Sequence, residues 1–587
     1  MSRVGRIVVV LAIVLAGLFA PASRVEARTT SSRRSVDRLA DDYFWAFDAR
    51  SARPDLSPRG NATWVKKLEA FEARLGRIHK SKLDQQGRIT YRMLRHDLAV
   101  QRKHVTEGHI EQNLGSIDSL MLTIYSTVDG GGGSSVTQWR WIIGQLKRST
   151  RFVDQYIALL ERGLKNGRVR ARGVVTASID STGVLSSKST SKNAFRQLEA
   201  LLVQGLAGKK QLGALRRELR AAVEVASSAH GKLRHYLQTK YLPHAPEQPG
   251  RTPSEKRFYL HQMSMHLGKQ HDTTKIAAIG RRAIQRLRRE MEKTAREINP
   301  KMSSLQSFMH GLNRRRALSF KTGPELLAQA RVEVERARAL ANKMASVGKT
   351  KLEVTSVPPA EDAAVDAQYM ALSDTKGQIQ LNTGRLFGMV SRHELANLVT
   401  HEGYGGHHLQ AMWAAKQHDL PEYRRSSGLT IFDEGWAMYS ERWRNAQKKG
   451  YTPLERIGHL QQQLWAAALL VADVELNNGK MSLAQAKRFI AKQLFTSPKS
   501  VSSEVEKIVN WPAQGATYHL GKREVLAARA EARRLLGVHF DERAFHHKLL
   551  SMGSIPIAEM RSTMRSWANR RLAQKRPRSR RLRPRRR

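Results

Sequence analysis

The sequence predicts a mainly α-helical protein, with one large helical body and a small β-sheet element beside the helix that carries the candidate site. Three observations lead there. Hydrophobic residues make up 41% of the 587-residue chain, enough to bury a sizeable core. Most segments after residue 40 repeat their apolar residues with a helical period. The second half holds one good strand candidate, Gly377–Thr383, where Ile379 and Leu381 alternate with polar residues.

Taken in order, the chain opens on a basic stretch with Arg3 and Arg6. Fourteen apolar residues, Ile7 to Ala20, follow, and then the small-x-small triplet Val25-Glu26-Ala27. So short an apolar run with these flanks predicts a secretory signal over 1–27 and an exported protein, periplasmic or extracellular. The alternative is an uncleaved N-terminal membrane anchor. The chain contains no Cys, which excludes an acylated-cysteine anchor, a disulfide framework and a thiolate zinc site. Any metal must therefore be held by His, Asp or Glu. Residues 28–40 are expected to be a polar N-terminal tail, and 41–569 one helical domain. Residues 137–164, 193–238 and 275–299 show amphipathic helical patterning, while Gly130–Ser135 and residues 243–253 punctuate it. Residues 570–587 hold eleven Arg or Lys in eighteen positions and no acid, the composition of a disordered Arg-rich tail. Subtracting those eleven from the formal charge of +50 leaves +39, so the excess is spread over the body. Cell-envelope polyanions or anionic lipid are the partners this predicts, with no specific nucleic-acid recognition.

The chemistry is concentrated in residues 391–410, SRHELANLVTHEGYGGHHLQ. Ser391 and Glu394 have capping-box spacing, so a helix should start there. His401-Glu402 lies near its end, but a zinc-peptidase helix would repeat His at i+4, and Gly405 stands there instead. His408, at i+7, returns to the His401 face but about 10.5 Å further along a straight helix. Two imidazoles on one cation need nitrogens only about 3.3 Å apart. Gly405-Gly406 permits the kink that would close the gap. His408 is the preferred second ligand, and His407 is the alternative that a bulge could rotate in. Glu434, in the helix-start sequence TIFDEGWAMYSERW, would supply a carboxylate from a second helix. That set leaves one position for water, with Glu402 as general base.

These motifs resemble those of a known family. HEGYGGHHLQ is similar to the HE-x-x-P-G-H-H-x-Q signature of the bacterial domain of unknown function 885, and DEGWAMYSE to its E-G-W-A-x-Y-x-E motif. WPAQGATYHLG and FDERAFHHKLLSMGSIP resemble two further segments, and YMALSDTKGQIQLNT resembles the strand that precedes the family's HE helix. The likeness runs from about residue 35 to 570. The family is similar to helical zinc peptidases of the gluzincin type. This implies a metallopeptidase-like body with one zinc ion on His401, His408 and Glu434, and Glu402 as base. Tyr518 would stabilise the oxyanion, and Tyr439 and Glu441 would orient the ligands. Strand 377–383, with Gln380 and Asn382, would offer an edge to a peptide substrate. The implied activity is zinc-dependent hydrolysis of short or unfolded peptides. The alternative is a non-catalytic protein on the same scaffold that holds envelope polyanions. One departure stands out: the family's Pro before the Gly is Gly405 here.

Overall fold

The computed structural model describes residues 31–47, 55–114, 132–190, 193–357, 367–384, 390–426 and 428–575. The expected signal segment 1–27 and residues 576–587 of the basic tail lie outside them. The helices that frame the site are, in chain order, α1 (Ser31–Ala46), α2 (Gln85–Thr106), α3 (Thr273–Ile298) and α4 (Gly323–Met344). They continue with α5 (Arg392–Glu402), α6 (His407–Ala415), α7 (Thr430–Asn445) and α8 (Pro453–Asn477). The last are α9 (Gln514–Leu536), α10 (Glu542–Leu550) and α11 (Ile557–Lys575). The fold is mainly α, and the rest of the chain is also mostly helical. No helix among the described residues is long and apolar enough to cross a membrane.

Two segments that composition assigns to tails are helical where described. Residues 31–40 are not a loose polar tail but the first turns of α1, which buries Val36, Leu39, Ala40 and Tyr43. Arg33 is buried with them because Asp37 and Asp84 neutralise it and the Asp419 carbonyl accepts from it at 2.8 Å. Residues 570–575, counted with the C-terminal tail, are the last turns of α11. Segment 137–164 also divides, into helices Val136–Lys147 and Ser149–Lys165.

The β element has three strands, β1 (Lys351–Ser356), β2 (Ala367–Ala371) and β3 (Lys376–Leu381). Their order is β1-β3-β2, with β1 parallel and β2 antiparallel to β3. The predicted strand is therefore the central one, paired on both sides. It offers no free edge to a peptide, contrary to expectation. Ile379 and Leu381 point into the core, and Gln380 is buried as well.

Two features bring the site helices together. Helix α8 is buried on almost every side, and its AAALLVA stretch forms an apolar axis on which the others pack. Helices α7 and α9 cross at paired glycines. A Cβ on Gly435 would lie 2.6 Å from Gly521 Cα, so the backbones touch and larger residues would force them apart.

Candidate metal centre

Helix α5 starts as predicted, with the Glu394 carboxylate accepting from the Ser391 N–H at 2.8 Å. It stops at Glu402. The chain turns through Gly403–Gly406 and restarts as α6 at His407. The turn folds tightly onto the end of α5: a Cβ on Gly406 would sit 1.8 Å from the His401 carbonyl oxygen, so only glycine fits. The Gly406 carbonyl accepts from the Gln410 N–H at 3.1 Å, the first hydrogen bond of the new helix. It also accepts from Trp436 Nε1 at 3.1 Å, which ties the turn to helix α7. At 405, where the family signature has Pro, a Cβ would come within 2.9 Å of the Thr400 methyl. Glycine there is matched to its neighbour, and the Trp436 bond fixes the bend.

The break decides which histidine converges. His401, His407 and Glu434 each place one ligand atom within 4.8 Å of the others, and all three are buried. His401 Nε2 lies 3.3 Å and His407 Nε2 3.7 Å from Glu434 Oε2. The imidazole planes stand at 84° with centroids 4.9 Å apart. His408 is not part of this set, which corrects the expectation built on a helix that kinks but keeps its phase. Because α6 restarts at His407, His408 is rotated away. Its Nδ1 meets the Tyr369 hydroxyl at 3.2 Å and its Nε2 the Thr350 hydroxyl at 3.3 Å. Its ring packs edge-on against Tyr404. Burial, with Arg338 and Lys416 nearby, pushes its pKa down to about 3, so it serves as a neutral packing residue.

The chemistry of the donor set fits a cation. His401 Nε2, His407 Nε2 and both oxygens of Glu434 and of Glu402 are buried without a hydrogen-bond partner in the protein. Buried polar atoms without partners cost free energy, and their concentration at one point marks a ligand position. Two imidazoles and a carboxylate are the donors that zinc takes in catalytic sites.

A second layer holds the first. His401 Nδ1–H donates to Glu441 Oε1 at 2.7 Å, which directs Nε2 at the convergence point. Glu441 Oε2 accepts from Gln463 Nε2 at 2.7 Å, and His459 Nδ1 stands 3.7 Å away. The buried Lys522 ammonium donates to Gln463 Oε1. Burial alone would raise Glu441, but its bonds with His401 and His459 hold its pKa down at about 2. Glu434 is likewise raised by burial and, on balance, lowered by His401 and His407. Glu402 is raised, because burial outweighs the neighbouring histidines. Its carboxyl is thereby tuned toward accepting a proton.

The other expected residues divide. The glycine crossing of α7 and α9 brings Tyr518 beside Glu434. Burial first, then the charges of Glu434, Glu504 and Glu402, raises its pKa well above the usual phenol value. Tyr439 does not orient a ligand; its hydroxyl meets His546 Nε2 at 2.6 Å and fastens α7 to α10. Gln380 is not at a substrate edge. It accepts from Gln368 at 2.7 Å and donates to Gln378 at 3.0 Å, inside the sheet. Asn382, just beyond β3, is fully buried. Sequence reasoning misses Gln463, His459, Trp436 and Lys522. His459 and Gln463, spaced i and i+4 on a helix that is buried on almost every side, are the visible signal.

The profile of the family described as "Bacterial protein of unknown function (DUF885)" matches residues 43–564. No curated protein matches the sequence. The fold is similar to a solved structure described as "the putative lipoprotein from Colwellia psychrerythraea", with a TM-score of 0.82 at 19% identity. That likeness covers 92% of this chain and 100% of the other. A second, described as "a putative lipoprotein of unknown function from Shewanella oneidensis", gives a TM-score of 0.69 at 17% identity. It covers 91% of this chain and 100% of the other.

Proposed function

Starting from a chain that belongs to the bacterial DUF885 family, we propose an exported metal-dependent hydrolase of the gluzincin type, acting on short or unfolded peptides. The observation that carries this reading is the convergence of His401, His407 and Glu434 around one point, with the unpartnered Glu402 carboxylate next to His401 in the chain. These three residues would hold the ion. A zinc ion there supplies Lewis acidity toward a scissile carbonyl. Glu402, its pKa raised by burial, accepts the proton of the attacking water and returns it to the leaving amine. Tyr518, beside Glu434, keeps its proton across the physiological range and would donate to the oxygen on which charge develops. Glu441 fixes the His401 ring and balances its charge. The apolar run in the first residues and the lipoprotein descriptions of the two similar structures support export.

The test is digestion of a peptide library by the purified protein, with and without a chelator, alongside Glu402→Gln. The reading expects cleavage that the chelator abolishes and zinc restores. It also expects Glu402→Gln to bind metal normally yet lose about 10²–10⁴-fold in rate, the usual contribution of a general base. Metal binding without hydrolysis of any peptide would instead favour a holding function on the same scaffold.

A further inference from the structure

Far along the chain from the metal centre, a concave surface site of about 360 Å³ opens on α2. Arg88, Arg92 and Arg95 line it at i, i+4 and i+7, on one face of the helix, and Lys80 closes it from the preceding turn. Its floor is apolar, made by the buried Leu83 and the Tyr91 ring, over which Lys80 Nζ stands 5.1 Å from the centroid. The charge is unbalanced. Arg92 pairs with Glu559 of α11, and Asp84 is engaged by Arg33 and by the Gly87 N–H. Arg88, Arg95 and Lys80 have no acidic partner among the described residues, unlike arginines elsewhere in the protein such as Arg216 and Arg220 on Glu199. Helix α11 lies alongside and adds a further cation, with Arg570 donating to Gln85 at 3.3 Å.

We propose that this cleft binds a phosphate-bearing ligand, a phosphomonoester or pyrophosphate group, through Arg88, Arg92, Arg95 and Lys80. Guanidinium forks match phosphate oxygens two at a time, and an excess of cations over acids in one concavity suits a dianion better than a single carboxylate. The apolar floor takes the esterified organic group, whether a lipid or a small molecule carries it. This site shares no residue with the candidate metal centre.

The experiment uses the full chain at physiological ionic strength. Calorimetry with inorganic pyrophosphate is combined with flotation on phosphatidylcholine vesicles with and without phosphatidic acid. Arg88→Gln/Arg95→Gln is compared with Lys209→Gln/Lys210→Gln, which removes the same charge from exposed positions elsewhere. Loss of two charge-assisted contacts should weaken pyrophosphate binding about tenfold or more in the first variant and leave the second near wild type. If vesicle binding falls in parallel, a lipid headgroup is the source. If it persists in the cleft variant while pyrophosphate binding is lost, the ligand is soluble. Equal weakening in both variants would reduce the effect to net charge and overturn the proposal, as would wild-type protein that binds neither probe.

Discussion

Replacing Glu441 by Gln keeps the shape of the second layer and removes its charge. Glu441 is wholly buried, so water does not screen its 2.7 Å bond to His401 Nδ1. Its pKa, held at about 2 despite burial, shows that the carboxylate is the form the fold selects. A charge-assisted bond of this kind contributes about 1.5–3 kcal/mol, and one tenfold step in affinity is about 1.4 kcal/mol. The variant should therefore bind zinc about 10–100-fold more weakly, the range found when the partner of a ligating histidine is lost. The Gln side chain can still accept from His401, so the protein should remain folded. The assay is competition for zinc against a chromophoric chelator, with thermal unfolding measured in parallel. Unchanged zinc affinity in a folded variant would refute the reasoning, because His401 would then need no support from Glu441.

Other consequences follow from the same geometry. Gly406→Ala would place a methyl 1.8 Å from the His401 carbonyl, so the turn must open; metal content should fall below half of wild type even where circular dichroism shows the helices intact. Trp436→Phe removes one of the two bonds to the Gly406 carbonyl and should cost about 0.5–1.5 kcal/mol in urea unfolding, the net worth of one hydrogen bond, since the Gln410 N–H still satisfies that acceptor. Tyr518→Phe should leave metal affinity near wild type while lowering kcat about 10²–10³-fold, measured on any peptide the protein cleaves. The stacked histidines His104 and His261 are lowered by burial to about 4 and about 3, against an unfolded value near 6.5. A base whose folded pKa is depressed stabilises fully above the unfolded pKa and loses that contribution as pH falls through the window from about 6.5 to 3. Stability should thus decline between pH 7.5 and 5, by up to about 2 kcal/mol per ring at pH 5, and His261→Phe should flatten that slope in urea melts.

Much of the architecture could be read from residue order. Capping at Ser391, the helix start at Thr430 and the strand around Ile379 each rest on local patterns, and local patterns survive in the fold. The errors arise where tertiary packing decides. Composition gives residues 31–40 a polar character, yet Val36, Leu39 and Ala40 are enough to seat a helix once Asp84 comes from elsewhere to meet Arg33. Strand β2 escapes notice because its five consecutive buried residues, AQYMA, show no alternation. In the centre, His401, Glu402 and Glu434 follow from motif spacing. The choice between His407 and His408 does not, because it depends on whether the helix bends or breaks. It breaks, and the reason is the contact of Gly406 with the His401 carbonyl, which only the folded chain reveals. The motif puts Tyr439 on the ligand side, but its hydroxyl is taken by His546, more than a hundred residues later in the chain.

The most direct test of the proposed metal centre is the zinc content per chain of purified His407→Ala and His408→Ala proteins, measured by plasma mass spectrometry against wild type. The account predicts about one zinc per wild-type chain, near-complete loss in His407→Ala, and retention in His408→Ala, whose ring only packs between Thr350 and Tyr369. Zinc retained by His407→Ala and lost from His408→Ala, or absent from all three proteins after loading, would contradict it.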